Sequence, residues 1–246
     1  MKKRNMLFCF LALSTILWTS CKKDTDDPKK TEDPYKCSTC VTLPDALPAN
    51  DGNSKGVYKG IVIGSTGTVR FSIQNGTNDI TATLVIDGVT TTLTSSIAWV
   101  SGEPYVAPFT GELNGQPASV TFSVQADGSS PVITSADIPG HPNSVFTLVK
   151  ETSNALVECF EGTYSSTRPE TGTFNILLSR AIGKFGGMSR EDGTAEETDV
   201  NGTIDQSGTI KDEDGHVLGT LSGDTISGSF TDSNGATVTI NGKRTL

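Results

Sequence analysis

The sequence predicts an all-β protein, an antiparallel meander arranged as two similar barrel-like or sandwich-like halves or, alternatively, as one larger two-sheet domain. Three observations lead to this prediction: runs in which apolar and polar residues alternate, Asn-Gly and Asp-Gly pairs between such runs, and an internal repeat. Side chains of a strand point alternately to its two faces, so a period of two indicates a strand with one buried face. The sequence shows no sustained apolar stripe with the 3.6-residue period of an amphipathic helix.

Three segments show the alternation most clearly. Their apolar positions are Val69, Phe71 and Ile73, then Ile80, Ala82, Leu84 and Ile86, and finally Val120, Phe122 and Val124. Thr and Ser fill many of the positions between them, as suits an exposed strand surface. Asn-Gly and Asp-Gly tolerate the positive φ angles of tight hairpin turns. The pair Asp87-Gly88 lies between two such runs and predicts the clearest hairpin of the chain.

The internal repeat consists of two short patterns that occur in the same order twice. An aromatic residue followed two positions later by glycine, and then by a Gly-Thr strand, occurs at 58–71 and at 160–176. A second pattern at 109–122 is similar to the segment at 226–240. We therefore expect two β-meanders, residues 56–150 and residues 158–246. A closed barrel of eight strands has an interior wide enough for side chains or for one small ligand.

The N-terminal segment carries a different signal. Three basic residues at 2–4 precede an apolar run at 6–18, and two small residues then lead to Cys21, after which the chain becomes polar and rich in Lys and Asp. The run is too short to span a bilayer core of roughly 30 Å, and this order of residues is typical of an export signal. The segment resembles the signal of a bacterial lipoprotein. The stretch after Cys21 is similar to the tethers of Bacteroidota-type outer-membrane lipoproteins.

This resemblance implies an address for the protein. Residues 1–20 are expected to be a cleaved signal peptide, and Cys21 is expected to carry acyl chains such as palmitate that attach the protein stably to the outer membrane. The protein would face the cell surface or, alternatively, the periplasm. We expect residues 21–55 to form a disordered tether, because residues 22–36 are mostly charged or polar and bury little apolar surface.

Charge restricts the partners that we expect. The formal net charge is −9, and removal of residues 1–20 takes away three positive charges and no acids, which leaves −12. Nucleic-acid binding depends on clustered basic residues, so an acidic chain without such a cluster is not expected to bind nucleic acid. The expected partners are the membrane, through the anchor on Cys21, and a glycan or a protein.

The sequence offers little support for the common enzyme classes. It contains no His-Glu-x-x-His motif and no phosphate-binding loop, and its one Gly-x-Ser-x-Gly spacing, at residues 52–56, is not followed by the helical pattern that a nucleophile elbow requires. We therefore expect no catalytic residues, no cofactor, and a binding or structural accessory role in the envelope. The alternative is a carboxylate-based hydrolase acting on polysaccharide, since such an enzyme needs only two carboxylates about 5–10 Å apart.

Three cysteines remain after the signal peptide and the lipidation site are set aside: Cys37, Cys40 and Cys159. Disulfides form outside the cytoplasm, so we expect one disulfide and one thiol, with all three pairings open. The CxxC spacing of the first two lacks the helical setting of a redox motif, and we expect no metal site because further ligands do not follow at ligand spacing. The acids at 191–192 and 212–214 precede glycines, which indicates turns.

Four aromatic residues are candidates for ligand binding. Trp99, Tyr105 and Phe109 surround Gly102 and Pro104, and exposed rings in such a loop could form a platform for a sugar ring or a protein partner. Phe185 lies in the Gly-rich segment 183–188, a second candidate loop. The alternative for each ring is a place in the hydrophobic core.

Overall fold

A computed structural model describes residues 34–64 and 66–246. In these ranges the regular structure consists of one 3₁₀ turn, Pro48–Asn50, and sixteen strands. The strands are β1 (Gly56–Ile63), β2 (Gly67–Ile73), β3 (Ile80–Ile86), β4 (Val89–Thr94), β5 (Tyr105–Leu113), β6 (Gln116–Val124), β7 (Val132–Asp137), β8 (Val145–Glu151), β9 (Glu158–Ser166), β10 (Thr171–Ser179), β11 (Lys184–Glu191), β12 (Glu197–Ile204), β13 (Thr209–Asp212), β14 (Val217–Ser222), β15 (Thr225–Thr231) and β16 (Thr237–Arg244). Within the described ranges no helix has the length and apolar character needed to cross a membrane.

The strands form two eight-stranded antiparallel meanders, which confirms the predicted fold class and the two similar halves. In the first half β1 to β7 pair in sequence order, and β8 returns to pair with β1, so that β7 and β8 are the two edges of a nearly closed sheet. In the second half β9 to β16 pair in order, and β16 pairs with β9 to close a barrel. Both halves therefore return their last strand to their first.

The two repeated patterns fall differently on this framework. Tyr58 on β1 and Phe160 on β9 occupy the same strand of each half, and both rings lie in the cores. The second pattern places Phe109 on β5 and Ile226 on β15, which are the fifth and the seventh strands of their halves. The likeness of the halves therefore lies in their connectivity and in their opening strands, and the second pattern reflects only similar hairpin composition.

The predicted hairpin at Asp87-Gly88 is present between β3 and β4, and both residues have positive φ angles, 49° and 77°. That combination matches the right-handed twist of the flanking strands. Two other pairs, Asn201-Gly202 and Asn241-Gly242, lie inside β12 and β16 instead of at turns. Their glycines serve the packing of the barrel, as shown below.

Aromatic side chains fill the interior of the first half. Tyr58, Phe71, Tyr105, Phe109 and Phe122 contact one another with ring centroids 4.6 to 6.5 Å apart. Aliphatic side chains from the same strands surround this group, and the result is a closely packed core.

A buried ion pair lies where the two halves join. Lys59 on β1 and Glu151 at the end of β8 are both fully buried, and the Lys59 Nζ lies 2.6 Å from the Glu151 Oε2. The same ammonium donates to the Val157 carbonyl at 3.0 Å, and the Glu151 carboxylate accepts the backbone N–H groups of Asp45 and Val157. This pair of charges therefore connects four parts of the chain: β1, β8, the linker before β9 and the N-terminal segment.

The segment before β1 differs from the predicted tether. Residues 35–55 belong to the same compact unit as both halves. The Arg244 Nη2 donates to the Val41 carbonyl at 2.6 Å, and the side chain of Ser54 is buried. The composition argument rested on residues 22–36, whereas residues 37–55 include apolar side chains, of which Ala46 is buried, and are held by hydrogen bonds such as these. The predicted tether from residue 21 to residue 33, the signal peptide and the lipidation of Cys21 lie outside the described residues.

Candidate functional site

The barrel of the second half encloses a cavity of about 200 Å³. All eight strands contribute to its lining, and its deep wall is hydrocarbon. The principal side chains of that wall are Phe174, Ile176, Phe185, Ile210, Ile226 and Ile240. The two halves therefore share a topology and differ in their interiors, since the first is filled by closely packed aromatic rings.

Inward-facing glycines help to keep the barrel open. A Cβ on Gly162 or Gly242 would lie 2.3 or 2.9 Å from the ring of Phe174, and a Cβ on Gly202 would lie 2.7 Å from the ring of Phe185. Each ring thus occupies space beside the wall that a side chain would otherwise fill. Because the rings lie against the wall, the centre of the barrel stays open. Glycine opposite an aromatic residue on neighbouring strands was the one signal in the sequence that could have indicated this arrangement.

Ion pairs close one end of the barrel. Arg244 lies on the same face of β16 as the cavity-lining Ile240, by strand alternation, and is 4% exposed. Its Nη1 lies 3.1 Å from the Glu158 Oε1 and 3.7 Å from the Asp224 Oδ1. Arg180 donates to the other oxygen of Glu158 at 2.8 Å. These carboxylates are bound to arginines, and the cavity does not open at this end.

The opposite end is the mouth of the cavity. The lining residues Tyr164, Ser189, Phe230 and Val238 are half-buried there, whereas the deeper Phe174 is buried. The hydroxyl groups of Tyr164 and Ser189 are therefore the polar groups that a bound molecule would meet on entering. Burial and the nearby acidic side chains raise the pKa of Tyr164, so its phenol keeps its proton at neutral pH.

The aromatic platform expected around Trp99 is not exposed. Phe109 is fully buried and Tyr105 is 3% exposed, because β5 begins at Tyr105 and directs both rings into the first core. Trp99 is half-buried, and its indole Nε1 donates to the Ser54 Oγ at 2.8 Å. The Lys55 Nζ lies 4.1 Å from the centroid of the indole ring. These contacts attach the N-terminal segment to the first half and leave no open aromatic surface at Tyr105 or Phe109.

Phe185 has a different position from the one expected. It lies on β11 and not in an exposed loop, and its ring lines the cavity of the second half. Among the four candidate aromatic residues, Phe185 is the one that lies at a cavity in the described part of the chain.

The cysteines form one disulfide, as expected, and the pairing is Cys37–Cys40. Cys159 is free and buried between the halves, with its Sγ 3.8 Å from the Gly60 carbonyl oxygen. Burial raises the pKa of the Cys159 thiol to about 12. This thiol is accordingly a packing residue and not a reactive group.

The acids at 212–214 lie at the turn between β13 and β14. The Asp212 Oδ1 accepts the backbone N–H of His216 at 2.8 Å, and its Oδ2 lies 3.1 Å from the His216 Nδ1. Asp214 is near enough that the three side chains could approach one ion, but it and His216 are exposed. The hydrogen bonds account for the arrangement as a turn.

Comparisons of the chain with protein-family models, with curated proteins and with solved structures found no match. The cavity of the second half is therefore the feature from which a function can be argued.

Proposed function

We propose that the protein is a lipid-anchored, non-catalytic binding protein of the outer membrane, and that the barrel cavity of its second half holds a small apolar ligand. The cavity is the observation that supports binding, and the resemblance of residues 1–35 to a lipoprotein signal and tether supports the location. The deep wall offers hydrocarbon contact and no group that would transfer a proton.

The size of the cavity limits the ligand. Its volume of about 200 Å³ exceeds that of an apolar cavity of roughly 150 Å³ that stays dry and binds benzene. It is smaller than the range of about 300–1,000 Å³ that is usual for drug-sized molecules. The ligand is therefore a molecule with one ring or a short branched chain, or one apolar end of a larger molecule.

Burial of a single ring sets the expected affinity. A ring buries roughly 150–250 Å² of apolar surface, and at about 25 cal/mol per Å² this contributes on the order of 4–6 kcal/mol. Such a free energy corresponds to a dissociation constant between about 1 mM and about 50 μM. The binding is weak enough to be reversible and strong enough to be measured by calorimetry.

The test uses 2-phenylethanol, which is neutral and carries one ring, titrated into the mature chain by calorimetry. Cys21→Ala in that chain removes the predicted acylation, so that no detergent competes for the probe. We expect binding in the stated range. Ile240→Trp, which adds a ring at a cavity-lining position of β16, should abolish it. Thr239→Trp, on the exposed face of the same strand, should leave it unchanged.

Two results would contradict the proposal. One is no detectable binding of 2-phenylethanol by the unsubstituted chain. The other is equal loss in both tryptophan variants, provided that their circular dichroism and melting temperatures match those of the unsubstituted chain.

A further inference from the structure

The mouth of the cavity is surrounded by four chain segments. The strands β9, β11, β13 and β15 all run toward this end, so their connections to the next strands lie around the opening. Together with the adjoining strand ends, these segments are residues 167–170, 191–197, 212–216 and 232–236. A ligand that enters the barrel from this end passes between them.

These four segments are strongly acidic. They hold nine Asp or Glu residues, against Arg168 and His216 within them and Arg190 and Lys211 immediately before two of them. One of the nine, Glu197, is paired, since its Oε2 lies 3.5 Å from the Arg190 Nη2. The guanidinium of Arg168 donates to the Asn234 carbonyl at 2.6 Å, which ties it to a neighbouring connection. The opening is therefore a region of negative potential in front of an apolar interior. The cavity supplies the binding site, and the acids around it determine which charge the polar end of a ligand can carry.

Several of the acids lie close to the lining of the cavity. Glu191 follows the lining residue Ser189 by two positions on β11 and so projects on the same side of the strand. On β10, Gly172 is paired with both Tyr164 and Glu191, and it has no side chain to separate them. Burial is the largest cause of the raised pKa of the Tyr164 phenol, which lines the mouth, and the negative charges of Glu191, Asp192 and Glu170 add to it.

The mouth also offers two aromatic rings. Tyr164 and Phe230 are half-buried lining residues at this end. The face of an aromatic ring attracts a cation, most strongly where water is partly excluded. Carboxylates and ring faces favour the same kind of ligand group, and both disfavour an anion.

We propose that the ligand is a small amphipathic cation, with an apolar ring or branched chain inside the barrel and a protonated amine at the acidic mouth. This inference rests on the proposed function, since it assigns the polar end of the molecule that the cavity holds. An ammonium at the mouth stays in partial contact with water, so the acids need not offset its complete desolvation. A carboxylate in the same place is repelled by the surrounding acids.

Three probes that share one ring and differ in charge test the proposal: 2-phenylethylamine, 2-phenylethanol and 3-phenylpropionate. At 20 mM salt we expect the amine to bind on the order of tenfold more tightly than the alcohol, and the carboxylate to bind most weakly. At 300 mM salt the advantage of the amine should shrink, because exposed charges are screened. The affinity of the alcohol should change little.

A charge-removing variant locates the effect. Glu170→Gln combined with Glu191→Gln should weaken binding of the amine several-fold and leave binding of the alcohol unchanged. The control is Glu112→Gln on β5 of the first half, which should change neither. Equal affinity of the amine and the alcohol, or an unchanged amine affinity in the double variant, would overturn the cationic assignment while the apolar cavity stands. Failure of all three probes to bind would overturn the proposed function as well.

Discussion

The buried pair of Lys59 and Glu151 gives the sharpest test of how the two halves are joined. We predict that Lys59→Met destabilises the protein strongly although methionine fits the space of the lysine stem. The substitution leaves the fully buried Glu151 carboxylate without its cation. It also leaves the Val157 carbonyl without the ammonium that donates to it at 3.0 Å.

The magnitude follows from these losses. Removal of one partner of a buried ion pair costs about 3–5 kcal/mol, because the remaining charge stays buried. The backbone N–H groups of Asp45 and Val157 still donate to the Glu151 carboxylate, which places the expected cost near the lower limit, about 3 kcal/mol. For a domain of this size, a loss of that amount lowers the melting temperature by roughly 6–12 °C.

Urea unfolding followed by circular dichroism measures the effect, and the slope of the transition should stay unchanged while its midpoint falls. Arg70→Met is the matched control. Arg70 pairs with Asp45 at 3.1 Å, but the side chains are 27% and 37% exposed, so its loss should cost less than about 1 kcal/mol. In a double-mutant cycle, Lys59→Met and Glu151→Gln together should cost less than the sum of the two single variants. A cost for Lys59→Met no larger than that of the control, or additive single effects, would refute the reasoning.

Four further predictions concern the cysteines and the barrel wall. Unreduced mature protein, with Cys21 acylated or replaced by alanine, should react with no thiol reagent at pH 8 and should show one thiol after unfolding; three thiols would contradict the Cys37–Cys40 disulfide. The pKa of Cys159 is raised in the folded state, so the protonated thiol should contribute fully to the stability of the protein below about pH 8.5. This contribution should disappear as the pH rises toward about 12, and urea unfolding measured across that range would detect the loss. Gly162→Ala should destabilise the protein by about 1–3 kcal/mol in urea unfolding, because its Cβ would collide with Phe174, whereas Gly52→Ala, with open space around it, should not. Cys21→Ala should move the protein out of the membrane fraction and abolish labelling by radioactive palmitate, and a variant still labelled would refute the lipid anchor.

Much of the fold could be predicted because the relevant information is local. Alternation at residues 69–73, 80–86 and 120–124 reports which side chains share a face, and a positive-φ turn at Asp87-Gly88 reports where the chain reverses. Both signals span fewer than about ten residues. The strands that they indicated are present.

The candidate site was harder to predict because exposure depends on distant strands. Tyr105 and Phe109 occur in a stretch rich in Gly and Pro, which suggested a loop, yet pairing of β5 with β6 directs them into the first core. Phe185 occurs in a similar stretch, and the closure of β16 on β9 makes it part of a cavity wall. The same local composition therefore gave two different environments.

The sequence by itself determined the all-β class, the division into two meanders and the excess of acidic residues. The resemblance of its first 35 residues to a lipoprotein signal and tether is the basis on which we propose the lipid anchor. Only the tertiary structure decided that the first half is filled and the barrel of the second half is open, that Lys59 meets Glu151, and that the acids of four separate segments surround one mouth. The physical reason is that alternation specifies which side chains point inward, whereas the volume left between them depends on which of those side chains meet across the barrel.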